Sequence, residues 1–204
     1  MIAIVDYKIS NLGSVVNMFK RFGVVARITS DADEIRRADK LILPGVGAFE
    51  NGMANLHDLG LVPLLHELVM ERKRPLLGIC LGMQLLTRRS EEGRQPGLGW
   101  IEGETVRFHF DANAGLKVPH MGWNTVTPAH RDSLFRDLDD DHRFYFAHSY
   151  HVVCDRPENV LATTRHGYEF ASALQRGNIM GIQFHPEKSH RFGLTLLKNF
   201  AELP

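Results

Sequence analysis

The sequence is poor in cysteine and has no excess of either charge, and each shortage excludes a class of protein. Its 204 residues include only two cysteines, Cys80 and Cys154. Two are too few for a disulfide framework and indicate a reducing compartment. The basic residues, lysine and arginine, number 24, and the acidic residues, aspartate and glutamate, also number 24. The chain therefore has no net positive charge that would attract a polyanion. We therefore expect no nucleic acid and no membrane as a partner.

Long apolar runs are also missing. The longest apolar stretch, residues 59–70, is interrupted by Pro63, His66 and Glu67 and is too short to span a bilayer. Because the first apolar run lies at residues 2–5 with no leader pattern before it, we expect no secretion signal. We expect a cytoplasmic protein whose residues 1–204 form one domain, since this length suits one buried core.

What is present in the first half is an alternation of apolar runs with helical patterns. The predicted strands are residues 2–5, 24–28, 40–43 and 75–79, and the predicted helices follow residue 11, cover 35–37 and 50–70, and run from about 81 to 88. This alternation is typical of a parallel sheet with helices on both faces.

The second half has a different pattern of predicted elements, because strands follow one another without long helices between them. They are residues 104–110, 124–127, 144–153, 161–164, 170–175 and 179–184, with a hairpin turn at 177–178 and a closing helix at 192–201. The sequence therefore predicts an α/β fold with a mostly parallel central sheet and an antiparallel elaboration in the C-terminal half.

Cys80 lies at a predicted corner between a buried strand and a helix. Gly78 and Gly82 flank it at two residues' distance, which is the spacing of a nucleophile elbow, where the neighbouring chain passes too close for larger residues. The helix N-terminus favours a thiolate. We interpret Cys80 as a nucleophile for a carbonyl carbon; the alternative is an inert core cysteine.

A base and an orienting carboxylate stand at the end of another predicted strand. His185 and Glu187 are two residues apart, share one face in an extended chain, and are held by Pro186 between them. The order Cys, His, Glu is that of the nucleophile-elbow hydrolases. We predict Cys80, His185 and Glu187 as a catalytic triad.

Acyl transfer from a thiol also needs donors for an oxyanion. The backbone N–H of Leu81 is one candidate, and the strand-terminal turn of Gly45, Val46 and Gly47 can supply another. His148 and His151 have a spacing that could suggest metal ligands, but on one strand they would face opposite sides, so we predict no metal.

The segments 78–84 and 183–187 resemble the class I (triad) glutamine amidotransferases, whose fold is flavodoxin-like. The resemblance implies hydrolysis of L-glutamine to glutamate and ammonia through a thioester on Cys80, with no cofactor. It also implies four contacts to glutamine. These are Gln84, Glu92, Ser149 and Tyr150, of which Glu92 would hold the α-ammonium group, although from the residues alone it is a solvated loop acid.

Further segments, 6–7, 43–49, 119–124, 145–150 and 196–200, resemble glutaminase subunits of this family that serve histidine biosynthesis. The implied partner is a synthase (cyclase) subunit with a (β/α)8 barrel, in a heterodimer. Such subunits are nearly silent without acceptor, which would make Val46 a switch residue. The implied interface comprises Asn11, Met121, Trp123, Tyr145 and Lys188.

The resemblance departs at Lys8 and Ser10, where the family usually has glycine. Three alternatives therefore stand beside the histidine pathway. They are an ammonia-supplying subunit for a surface-polysaccharide sugar, a thiol hydrolase acting alone on γ-glutamyl peptides, and a binding subunit without catalysis.

Overall fold

A five-stranded parallel sheet forms the centre of the computed structural model, which describes residues 1–9, 12–111, 113 and 115–204. Its strands are β1 (Ile2–Val5), β2 (Ala26–Thr29), β3 (Lys40–Leu43), β4 (Leu76–Ile79) and β12 (Ile179–Ile182), in the order β2-β1-β3-β4-β12. All four residues of β1, β3, β4 and β12 are buried, as their apolar runs predict. This order is the flavodoxin-like one, so the predicted fold class is confirmed.

Helices pack on both faces of this sheet and divide the apolar interior into two cores. They are α1 (Gly13–Lys20), α2 (Ala32–Arg37), α3 (Phe49–Asp58), α4 (Leu61–His66), α5 (Leu81–Leu85) and α6 (His190–Glu202), with a π-helical turn at Glu67–Glu71. The predicted break near Gly60 is present, and Gly60 takes a positive φ of 64° there. None of the helices in the described ranges combines the length and apolarity needed to cross a membrane.

Antiparallel strands extend the sheet in the C-terminal half, as predicted. They are β5 (Gly103–Arg107), β7 (Thr127–Pro128), β9 (Tyr150–Cys154), β10 (Val160–His166) and β11 (Tyr168–Arg176). β11 and β12 form the predicted hairpin. A separate two-stranded sheet pairs β6 (His120–Thr125) with β8 (Arg143–His148). Short 3₁₀ turns occur at Ser133–Phe135, Pro157–Asn159 and Pro186–Lys188.

The structure corrects three predicted elements. The helix after the elbow ends at Leu85, not near residue 88. The predicted strand 124–127 begins four residues earlier, at His120, because residues 120–125 pair with β8. The predicted strand 144–153 is two strands interrupted at Ser149, because the chain leaves β6 there and pairs with β5.

This break overturns the prediction that His148 and His151 face opposite sides of one strand. They belong to β8 and β9, and both rings lie against the ring of Phe108, with centroid distances of 5.3 and 4.6 Å. A chain that changes its pairing partner also changes which face its side chains occupy, so the period-two argument does not extend across Ser149.

Candidate active site

Cys80 occupies the predicted elbow between β4 and α5. Its φ of 52° is positive, which is strained for a residue with a side chain and typical of functional sites. A Cβ atom at Gly78 would lie 2.7 Å from the Gly82 carbonyl oxygen, and one at Gly82 would overlap the Leu43 carbonyl. The two glycines are therefore required by close backbone approach, as the spacing predicts.

The thiol opens onto a cavity of about 470 Å³, although Cys80 itself is only 6% exposed. The cavity is formed where the turn after β3, the elbow and the segment between β8 and β9 meet. A ligand in it would therefore reach the sulfur while most of the elbow stays packed. This arrangement is expected of a nucleophile and not of an inert core cysteine.

His185 and Glu187 form a close pair three to five residues beyond the end of β12. His185 Nδ1 and Glu187 Oε1 are 2.8 Å apart, and the two side chains are 3% and 9% exposed. The connection is a 3₁₀ turn and not the extended chain that we predicted. Ser189 fixes it, because its hydroxyl donates to the His185 carbonyl and accepts the Tyr145 N–H.

The imidazole of His185 is held protonated at neutral pH. Burial alone would lower the pKa of His185, but hydrogen bonds to Cys80 and Glu187, and the charges of both groups, outweigh it and raise the pKa to about 10. Because Cys80 contributes to this shift, the ring lies beside the sulfur. Thiol, imidazole and carboxylate are therefore brought together over a sequence separation of more than a hundred residues.

This pair makes stability depend on pH. A histidine pKa near 10 in the folded chain, against about 6.5 when unfolded, stabilises the fold fully below pH 6.5, and the contribution is lost as pH rises through 10. We expect Glu187→Gln to lower the free energy of unfolding by about 1–2 kcal/mol at pH 6. The loss should shrink at pH 10.5. Urea unfolding of both chains at the two pH values measures it; an equal loss at both would contradict the assignment.

Of the predicted oxyanion donors, the Leu81 N–H is already occupied by another hydrogen bond. The Leu81 N–H donates to the Gly45 carbonyl oxygen, 3.3 Å away, so that carbonyl stands where an oxyanion would bind this donor. The next residue, Val46, is 40% exposed and lines the cavity. Gly47 has a φ of 108°, a conformation that favours glycine. The turn would have to rotate its 45–46 peptide for the donor to become available.

All four predicted glutamine contacts line the same cavity. They are Gln84, Glu92, Ser149 and Tyr150. Glu92 is not the freely solvated loop acid that its sequence context suggests, because its Oε2 accepts the Phe49 N–H at the start of α3, at 2.8 Å. The helix N-terminus thus fixes a carboxylate at the cavity wall.

Two residues at the site carry contacts that the sequence interpretation missed. Gln183 is fully buried, and its Nε2 lies 3.6 Å from the Cys80 sulfur. Tyr7 is fully buried and donates its hydroxyl to the Pro44 carbonyl, directly before the Gly45 turn. A polar residue inside the strongly apolar end of a strand, as Gln183 is, was the available signal.

The comparison with protein families decides the affiliation of this site. Residues 3–203 match the family Glutamine amidotransferase class-I. The chain belongs to this family. The elbow, the buried imidazole and its carboxylate are thus found in a glutamine amidotransferase.

Relatives of this amidotransferase match along their full length. "Imidazole glycerol phosphate synthase subunit HisH 2" of Methanococcus maripaludis is 52% identical over 202 residues, which is 99% of each chain. The protein of the same name from Pseudomonas aeruginosa is 48% identical over 203 residues, covering all of both chains. Among solved structures, a chain of PurLQS from Thermotoga maritima superposes with a TM-score of 0.75. The match covers 98% of this chain and 96% of that chain. The two sequences are 17% identical, so this match shows a shared fold.

An exposed aromatic surface lies on the amidotransferase next to the cavity. Met121 and Trp123 are 64% and 45% exposed on one face of β6. The Trp123 ring stacks on His190 and meets the Tyr145 ring edge-on, and Lys188 Nζ lies 5.5 Å from the Tyr145 ring centroid. Four of the five predicted interface residues therefore form one patch.

The fifth predicted interface residue, Asn11, lies outside the described residues, as does Ser10. Lys8 has a φ of 63°, so this lysine takes a left-handed conformation at a position where the family usually has glycine. Its backbone N–H donates to the Asp6 carboxylate, 3.0 Å away, which supports the turn. The departure at Lys8 therefore keeps a turn supported by its own hydrogen bond.

Proposed function

We propose that this chain is the ammonia-producing subunit of an imidazole glycerol phosphate synthase and hydrolyses L-glutamine at Cys80. The observation that carries the proposal is the grouping of Cys80, which lines a substrate-sized cavity, with His185 beside its sulfur and Glu187 bonded to the His185 ring. The full-length relatives that bear this name support the choice of pathway.

The triad geometry supports a two-step acyl transfer. The Cys80 sulfur attacks the side-chain amide carbon of glutamine, and the His185 imidazolium gives its proton to the departing nitrogen as the C–N bond breaks. Ammonia and a thioester result. Neutral His185 then takes a proton from water as it attacks the thioester, which releases glutamate and the sulfur. Glu187 orients the ring and balances its charge.

The cavity wall provides groups suited to each end of glutamine. Glu92, fixed on the Phe49 N–H, would pair with the α-ammonium group. Gln84 and the 149–150 segment would hold the rest of the amino acid near the sulfur. A carboxylate facing a substrate ammonium is a charge-assisted contact and fixes the direction in which glutamine enters.

The closed turn at Gly45 supports control by a partner. While the Gly45 carbonyl accepts the Leu81 N–H, one donor is lost to the oxyanion. Rotation of the 45–46 peptide would release that donor and turn the Val46 N–H toward the cavity. Val46 would then be the switch residue, and its exposure lets a bound subunit reach it.

The patch formed by Met121, Trp123, Tyr145 and Lys188 borders the cavity, which supports it as the docking surface for a partner. Ammonia is mostly ammonium in neutral water and then a poor nucleophile, so it must pass directly to an acceptor. Trp, Tyr and Met are enriched at protein interfaces, and Trp and Tyr are frequent anchors there. We propose a (β/α)8-barrel synthase subunit as the partner in a heterodimer.

Trp123→Ala will weaken the complex with the synthase subunit. The ring stacks on His190 and meets the Tyr145 ring edge-on, so its loss removes a rigid anchor, which should raise the dissociation constant about 30-fold, or about 2 kcal/mol. Calorimetric titration with the synthase subunit measures it. Val25→Ala, at a 59% exposed apolar residue away from the patch, is the matched control; equal affinities for the two variants would place the interface elsewhere.

Co-purification tests the proposed function most directly. The chain is expressed with candidate (β/α)8-barrel synthase subunits, the complex is isolated, and glutamate release is followed with and without the phosphorylated acceptor. Rescue of a histidine auxotroph that lacks this subunit distinguishes the histidine pathway from a polysaccharide-sugar amidotransferase. Failure to rescue, with an active complex, would point to the sugar acceptor.

A further inference from the structure

A series of hydrogen bonds begins on the two-stranded sheet and leads inward. Asn124 Nδ2 lies 3.1 Å from His120 Nε2, and His120 Nδ1 lies 3.0 Å from His148 Nε2. His148 Nδ1 in turn lies 2.7 Å from the Tyr150 carbonyl oxygen. β6 carries Trp123 between His120 and Asn124, on its opposite face, so this series starts directly behind the exposed aromatic patch.

The series continues from the Tyr150 carbonyl to the nucleophile. Gln84 Nε2 is 3.1 Å from that carbonyl and 3.1 Å from Gln183 Oε1, so its two amide protons serve both acceptors. Gln183 Nε2 then faces the Cys80 sulfur at 3.6 Å. His148, Gln84 and Gln183 are 5%, 4% and 0% exposed, so water does not compete for these bonds.

The Tyr150 carbonyl, at one end of the histidine series, determines which atom donates and which accepts in each bond. A carbonyl oxygen only accepts, so His148 Nδ1 must carry the proton, and its Nε2 must accept from His120 Nδ1. His120 Nε2 then accepts from the Asn124 amide nitrogen. The Asn124 amide nitrogen also donates to the Arg165 carbonyl at 3.0 Å, so the nitrogen of this amide, and not its oxygen, must face His120. Both histidines are thereby single Nδ1–H tautomers.

The surroundings keep both rings neutral. Burial lowers the pKa of His148 to about 3, with His120, His151 and His166 adding repulsion. Burial lowers the pKa of His120 to about 4, and His166, stacked on it at 4.2 Å, adds to the shift. A charged ring would place two N–H donors where the series needs one donor and one acceptor.

We propose that His148, supported by His120, is a positioning residue that holds the Tyr150 carbonyl and, through Gln84 and Gln183, the amide donor facing the Cys80 sulfur. Without His148 the carbonyl keeps, among the described residues, Gln84 as its side-chain partner and can turn with it, which frees the Gln183 amide. The nucleophile then loses an oriented donor. The kinetic consequence of this inference rests on the proposed function.

Alkylation of Cys80 by iodoacetamide, followed by mass spectrometry of the Cys80 peptide, tests the inference without substrate or partner. His148→Phe fills the space without a donor and should slow alkylation about tenfold, the worth of one oriented hydrogen bond. His148→Asn keeps a donor at the δ position and should remain within about threefold of the parent chain. His142→Phe is the control, since His142 is a buried histidine that bonds the Asp139 and Val126 carbonyls instead.

The outcomes separate this inference from the proposed function. Parent-like alkylation in His148→Phe, or equal slowing in His142→Phe, overturns the inference. Should His148→Phe not fold, nitrogen-15 NMR of the unmodified chain decides: Nδ1–H tautomers for His120 and His148 at pH 7 support it, and an Nε2–H tautomer or a charged ring at either overturns it. An unmodified complex that releases no glutamate would instead refute the proposed function.

Discussion

Cys80→Ala will lower the rate at which the complex with the synthase subunit releases glutamate from glutamine, at least about 10⁴-fold. The thioester cannot form without the sulfur, and no other thiol lines the cavity. In triads that act as a unit, loss of the nucleophile removes nearly all of the chemistry and leaves only the contribution of binding and of the oxyanion donors. Glutamate formation at saturating glutamine, coupled to glutamate dehydrogenase, measures the loss.

The chain provides a matched control for this variant in its second cysteine. Cys154 lies on β9 and directs its thiol to the Glu102 and Arg156 carbonyls, away from the cavity. Cys154→Ala should keep glutamate release within about twofold of the parent complex. Cys80→Ala should also relieve the strain of a non-glycine residue at positive φ only slightly, since alanine keeps a Cβ. Substantial turnover in Cys80→Ala would show that the sulfur is not the nucleophile.

The elbow could be predicted from sequence because its requirements are local. Gly78 and Gly82 must be small for the backbone to pass, and the spacing alone states this. The approach of His185 to Cys80 is different, since it joins distant segments. The sequence analysis anticipated it from the order Cys, His, Glu and from the position of His185 at a strand end. The structure adds the physical reason, because β4 and β12 are parallel neighbours whose carboxyl ends meet at one edge of the sheet.

Two features of the site could not be predicted, for physical reasons. The state of the oxyanion turn depends on the orientation of a single peptide, which no residue type specifies, so the bond from Leu81 to the Gly45 carbonyl came from the structure. The pairing of His148 with His120 depends on the register of β6 and β8. Residues 144–153 read as one strand because apolar and aromatic residues occur on both sides of Ser149, and this pattern hid the break at Ser149.

The isolated chain will turn over glutamine about 10²–10³ times more slowly than its complex with the synthase subunit and acceptor. The reason is the Gly45 carbonyl, which occupies the Leu81 N–H and so removes one oxyanion donor, a loss that costs this factor in other acyl-transfer enzymes. Steady-state turnover of the chain alone, of the complex, and of the complex with acceptor gives the three rates to compare.

A second measurement distinguishes a closed oxyanion site from an unready nucleophile. The Gln183 amide already faces the Cys80 sulfur without a partner, and the His185 ring already lies beside it. Alkylation of Cys80 does not develop an oxyanion, so its rate in the isolated chain should lie within about threefold of that in the complex, unless the partner shields the cavity. Slow hydrolysis with fast alkylation places the control at the Gly45 turn. Fast hydrolysis by the isolated chain would exclude control by a partner and favour a hydrolase that acts alone.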